Sequence, residues 1–115
     1  MLLATEFLVP LDVTTPARYG TRVIKTFRDR QTAAVYQGLR PKGFPPDLVR
    51  RAQRKLRQLH AARTLQDLYL PPSNRLEALE RERKGQHSIR INDQWRLCFV
   101  WRGGDAYDVE ITDYH

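Results

Sequence analysis

Gly85-Gln86-His87-Ser88-Ile89-Arg90-Ile91-Asn92-Asp93-Gln94-Trp95-Arg96-Leu97-Cys98-Phe99-Val100-Trp101-Arg102-Gly103-Gly104-Asp105 is the stretch that decides the fold. Apolar and polar side chains alternate on both sides of Asp93-Gln94, the period-two signature of a strand. Residues 88–92 and 95–101 are therefore expected to form a hairpin. In its second strand Trp95, Leu97, Phe99 and Trp101 share one face, and Arg96, Cys98 and Val100 share the other. Gly103-Gly104-Asp105 signals a turn. Residues 106–112 follow as a last strand, with Tyr107, Val109 and Ile111 expected to face the core.

Working back toward the N-terminus, residues 80–86 read as a charged loop holding Arg83 and Gly85, and residues 75–79 as a short strand. Pro71-Pro72-Ser73 closes a helical part that ends over residues 65–70. Asp47 is placed as the N-cap of a long helix reaching about residue 63. Leu48, Val49, Ala52, Leu56 and Leu59 make its apolar stripe, and Arg50, Arg51, Arg54, Lys55, Arg57 and Arg63 occupy the remaining face. Pro41-Lys42-Gly43-Phe44-Pro45-Pro46 is a loop. Residues 28–37 form a short helix stopped by Gly38, and Val23-Ile24-Lys25-Thr26-Phe27 is a β-branched strand. Residues 1–22, with Pro10, Pro16 and Gly20 and no sustained period, read as a loose extension with room for one short ordered piece. The expected fold is α+β: β-α-α and then an antiparallel meander, two layers with the helices on one face.

At 115 residues the chain is one small domain. Its net charge of +7 favours polyanionic partners through phosphate neutralisation, although a ribosomal or merely soluble basic protein has the same balance. The single Cys98 excludes an internal disulfide and reads as a small core residue in a reducing compartment. His60, His87 and His115 have no metal-ligand spacing, so neither a metal nor another cofactor is expected. No apolar run reaches membrane-span length. The first ten residues resemble a signal segment only faintly, for they lack a basic start and Glu6 interrupts them. The expectation is a cytoplasmic protein with no membrane partner.

RNA can be cut without metal when its 2′-hydroxyl attacks the adjacent phosphate. That reaction needs a base, an acid and cations around the phosphorane. His115 is the best candidate acid or base because its ordinary pKa lies near neutrality, and Asp113 stands two residues before it as an orienter. A frayed polar tail is the competing reading of both. Arg90 and Arg96 lie on adjacent strands flanking the hairpin turn, and guanidinium forks suit phosphate. Ion pairs with Glu77, Glu110 or Asp113 are their alternative role. Arg83 is placed to reach either substrate or solvent, His87 reads as a surface histidine, and His60 as structural. Arg50, Arg54 and Arg57 on the long helix form a candidate ribosomal RNA surface, a docking face for an acidic protein being the other reading.

Asn74-Arg75-Leu76-Glu77-Ala78-Leu79, residues 85–96 and the closing Asp113-Tyr114-His115 together resemble HigB-type toxins of the RelE/ParE superfamily. The resemblance runs from Val23 to the end. It implies a compact two-layer microbial-RNase-type fold and ribosome-dependent cleavage of mRNA in the A site. Its implied partners are a HigA-type helix-turn-helix antitoxin, the ribosome with its mRNA, and operator DNA reached through the antitoxin complex. By position, Asp113, Tyr114 and His115 match the family's terminal catalytic residues. Arg96 matches the arginine of its Trp-Arg strand, and Arg90 the basic residue of the preceding strand.

The chain departs from the family pattern in three places. Glu77 stands where some members have a histidine, leaving either weaker activity or a substituting carboxylate. The family loop Lys-Gly-Asp-Arg is here Glu80-Arg81-Glu82-Arg83, which keeps the arginine and loses the glycine. Residues 1–22 precede the usual start, either as an over-extended reading frame with Val23 as the true start or as an added arm before a toxin domain over 23–115. Two further readings compete: a superfamily toxin that binds DNA gyrase without cutting, and an inactive toxin kept as antitoxin partner or co-repressor.

Overall fold

The computed structural model of the chain describes Phe7–Leu8 and residues 23–113. It is an α+β fold. The strands are β1 (Phe7–Leu8), β2 (Thr26–Phe27), β3 (Glu77–Ala78), β4 (His87–Arg90), β5 (Trp95–Arg102) and β6 (Asp105–Asp113). The helices are α1 (Arg30–Tyr36) and α2 (Pro46–Ala61). The sheet order is β1-β2-β6-β5-β4-β3. Strands β3 to β6 are antiparallel neighbours, whereas β2 lies parallel to β6 with Phe27 opposite Val109. The helical segment crosses between β2 and the rest of the sheet, so the first and last long-range elements meet in its middle. Ile24 extends this contact as an isolated parallel bridge to Ala106.

Both helices pack on one face. Leu48, Val49, Ala52, Leu56 and Leu59 of α2 are buried with Val35 of α1 against Ile89, Leu97, Phe99, Val109 and Ile111. Trp95 and Trp101 lean on the same core as partly buried rings, so the alternation of β5 is realised as read. His60 of α2 is structural. Its Nδ1 accepts the Ile24 N–H at 3.2 Å, and its ring meets Tyr36 edge-on.

The alternation fails in β6 at one residue. Cys98 faces Glu110 and Val100 faces Tyr107, so one residue of β5 spans two of β6. This is a β-bulge, and it reverses which face the following side chains occupy. Asp108 takes the left-handed φ of 52° there, and its N–H donates to Thr26 Oγ1 at 2.8 Å. Ala106 therefore reaches the core in place of Tyr107, and Arg102 lies over the Tyr107 ring at 4.2 Å.

Local boundaries also shift for physical reasons. Pro46 takes the first helical position of α2, with Pro45 as N-cap, and Asp47 sits in the first turn beside Arg50 and Arg51 instead of capping. Asp29 is the N-cap of α1, accepting the Thr32 N–H at 2.6 Å. α2 ends at Ala61 because Thr64 and Asp67 form a capping box for a separate 3₁₀ turn, Leu65–Tyr69. The strand expected over 75–79 is only Glu77–Ala78, because the 3₁₀ turn Pro72–Asn74 runs into Arg75 at a φ of 45°. Arg81 adopts a φ of 58°, where the family pattern has glycine. The turn is thus kept, at a cost of about 1 kcal/mol in backbone strain.

Asp67 supplies a pH-dependent prediction. The N–H groups of Arg63 and Thr64 hold its carboxyl below the ordinary 3.8. A depressed carboxylate contributes stability that is full above its unfolded value and is lost as pH falls through the folded one. Asp67→Asn is therefore expected to melt below wild type at neutral pH, and the gap should close as pH falls below the ordinary carboxylate value of 3.8 and through the lower folded one. Thermal melts followed by circular dichroism across that range check it; a gap independent of pH would contradict it.

Candidate active site

Strand register sets out the face of the sheet opposite the helices. Glu77, Ser88, Cys98 and Glu110 form one row across β3, β4, β5 and β6, and Arg90, Arg96 and Thr112 form the next. Two arginines thus stand side by side because a hairpin pairs residues 90 and 96 directly. A third is supplied by Arg75. Together Arg75, Arg90 and Arg96, with Asn92 and Asp93 of the hairpin turn, line a depression of about 260 Å³. Three arginines around one small hollow make a place for a phosphate.

Arg96 is the most enclosed of these groups, with 11 % of its side chain exposed. Its Nη1 lies 3.3 Å from Glu77 Oε1, and its Nη2 donates to the Arg75 carbonyl at 2.8 Å. Arg90 pairs with Asp93 in the turn. Asn92 shapes that turn, since its Oδ1 accepts the N–H groups of Gln94 and Trp95 at 2.9 and 2.8 Å. A second hollow of about 320 Å³ adjoins, lined by Asp47, Arg51, Arg90, Asn92, Asp93 and Gln94. Arg90 borders both.

The other sequence candidates among the described residues fall elsewhere. Arg83 pairs with Glu110 at 3.2 Å and donates to Gln86 Oε1 at 2.9 Å, with Arg28 at 4.0 Å from the same carboxylate. Asp113 faces Trp95 across the ladder, one position from the Arg96–Thr112 pair, and accepts from Gln94 Nε2 at 3.1 Å. Register therefore separates it from the arginine row. Tyr114 and His115 lie outside the described residues. Arg50, Arg54 and Arg57 are exposed on α2. His87 is half-buried and stacked on Phe99 rather than lying on the surface. Burial pushes the Cys98 thiol up, which removes it as a ready nucleophile.

Sequence reasoning did not single out Arg75, Lys55 or Asn74. Lys55 Nζ donates to Asn74 Oδ1 at 2.5 Å, and Asn74 is fully buried. Burial, then the charges of Arg54 and Arg90, lower the Lys55 pKa. Among the described residues, no three His, Cys, Asp or Glu side chains group closely enough to hold a metal ion, and no helix is long and apolar enough to cross a membrane.

The model of RelE-like toxins of the type II toxin–antitoxin system HigB matches residues 25–115. The chain belongs to the HigB-like toxin family. It is 41 % identical over 89 residues to Toxin HigB-1 of Vibrio cholerae, covering 76 % of this chain and 94 % of that protein. It is 28 % identical over 93 residues to Endoribonuclease HigB of Proteus vulgaris, covering 81 % of this chain and all of that relative. A Haemophilus influenzae protein of unassigned function is 35 % identical over 89 residues, covering 76 % of this chain and 88 % of its own. The HigB-like match spans α1, α2 and β3 to β6, and so includes every arginine of the depression.

Proposed function

We propose that this HigB-like toxin is a ribosome-dependent endoribonuclease. It cuts mRNA in the A site by metal-independent attack of the 2′-hydroxyl, and a HigA-type antitoxin restrains it. The observation that carries the reading is the gathering of Arg75, Arg90 and Arg96 around one hollow on the face opposite the helices. Fixed cations at that spot would hold the scissile phosphate and stabilise the charge that develops on it. The endoribonuclease name of the Proteus vulgaris relative supports the same reading.

In this account Arg96 and Arg90 clamp the phosphate, His115 serves as acid or base, Asp113 orients it, and Tyr114 stacks or relays a proton. Glu77 stands in the place of a second proton-handling group. Its carboxylate lies 3.3 Å from Arg96 Nη1, beside the arginine row. Arg83 flanks the site through Glu110, and Arg50, Arg54 and Arg57 meet ribosomal RNA. Residues 23–115 are the toxin domain, in the two-layer microbial-RNase-type arrangement, and residues 1–22 an extension. The setting is the cytoplasm, and operator DNA is met through the antitoxin complex.

The test is 5′-end mapping of a reporter mRNA in a reconstituted translation reaction, with wild type, wild type without ribosomes, and His115→Ala. The expected result is ribosome-dependent, in-frame cuts that the variant reduces by about 10²–10⁴-fold. Absence of cuts from folded wild type, together with inhibition of gyrase supercoiling, would overturn the proposal.

A further inference from the structure

The arginine hollow is held from behind by residues that do not line it. Asn74 uses both amide hydrogens, donating to the carbonyls of Leu68 at 3.1 Å and Leu70 at 3.2 Å. Its oxygen takes the Lys55 ammonium at 2.5 Å. The amide therefore ties α2 to the 3₁₀ turn Leu65–Tyr69 and to the start of the next turn. Arg75 follows Asn74 directly, in a left-handed conformation with its N–H on the Pro72 carbonyl. The Arg75 carbonyl then receives Arg96 Nη2 at 2.8 Å. A continuous chain of contacts runs from Lys55 through Asn74 and Arg75 to the Arg96 guanidinium.

A lysine is a costly choice for simple packing at this position. Its ammonium is partly shielded from water and stands near two like charges, Arg54 and Arg90. A neutral donor would satisfy Asn74 without that repulsion. The arrangement gains its value when a polyanion arrives, because the site is already ordered and positively charged.

We propose that Lys55 and Asn74 are positioning residues for the arginine hollow, fixing Arg75 and through it the orientation of Arg96. The pair acts through Arg96 and does not itself contact the reacting atoms. Its kinetic consequence rests on the RNA-cleavage reading; its geometric consequence does not.

Two measurements on the full chain separate these. The first is kcat and KM for mRNA cleavage on programmed ribosomes by wild type, Lys55→Met and Lys55→Arg. Lys55→Met should lower kcat by about 30- to 100-fold, the scale of a 1 Å misplacement, with KM within about threefold. Lys55→Arg keeps a donor for Asn74 and should recover most of the loss. The second is the arginine Nε–Hε NMR spectrum of the same proteins, in which Lys55→Met should move the Arg96 resonance while the amide spectrum stays dispersed. An unmoved Arg96 resonance, an unchanged kcat, or a loss that Lys55→Arg does not recover would overturn the proposal. If wild type does not cleave, the functional reading fails and the NMR comparison still decides the geometry. Should Lys55→Met fail to fold, Asn74→Asp, which keeps the acceptor for Lys55 but loses both hydrogen bonds to the Leu68 and Leu70 carbonyls, should move the Arg96 resonance, and an unmoved resonance would overturn the proposal.

Discussion

Arg96→Ala is expected to lower the rate of RNA cleavage by about 10²–10³-fold, the usual effect of removing one preorganised group that stabilises charge in the transition state. Three observations set the size. Arg96 is the most enclosed arginine of the hollow, its two Nη atoms are fixed on Glu77 and the Arg75 carbonyl, and it stands directly opposite Arg90. An enclosed and oriented cation acts on developing charge without reorganising first. The loss of stability should be small by comparison. Glu77, its ionic partner, is half exposed at 49 %, and such pairs contribute about 1 kcal/mol or less. Arg96→Lys should recover only part of the rate, because an ammonium cannot hold Glu77, a carbonyl and phosphate in one plane. Single-turnover kinetics alongside thermal melts check the separation. A variant that lost stability and rate in proportion would place Arg96 in the scaffold.

Phe99→Ala is expected to destabilise the fold by about 3–5 kcal/mol. Phe99 is fully buried, at the centre of β5 and against the bulge of β6, and it contacts the His87 and Trp101 rings. Few neighbours can collapse into the void, since β4 and β6 hold it on both sides. Against a typical domain stability of about 5–15 kcal/mol, the variant is on the edge of unfolding. Urea denaturation of the two proteins measures the difference. A change under about 1 kcal/mol would mean the core repacks around the bulge.

The parts of this architecture that were legible in the sequence depend on local period. The alternation over residues 95–101 identified which side chains of β5 face the helices, and the helical stripe from Leu48 to Leu59 identified the buried face of α2. Arg90 and Arg96 came together in advance because a hairpin turn fixes their register. What was not legible depends on one residue overriding a period, or on contacts between distant segments. Asp108 at a φ of 52° turns Tyr107 away from the core, and no glycine marks the place. Arg75 joins the hollow only because two prolines and Asn74 shape the chain before it. Lys55 looks like any other basic residue of α2 until Asn74, 19 positions away, is seen against it. The last strand reads as ending at residue 112, yet the ladder carries β6 on to Asp113 opposite Trp95, because pairing with β5 continues past the apolar alternation.

In the proposed reaction this face promotes attack by the RNA's own 2′-hydroxyl. This step is tested most directly with an mRNA carrying a single 2′-deoxynucleotide at the mapped cut, on programmed ribosomes. The all-ribose message should yield a 2′,3′-cyclic phosphate end, and the substituted message should stay intact while competing for the toxin equally well. Cleavage of the substituted message, or a free 3′-hydroxyl end on the product, would contradict it.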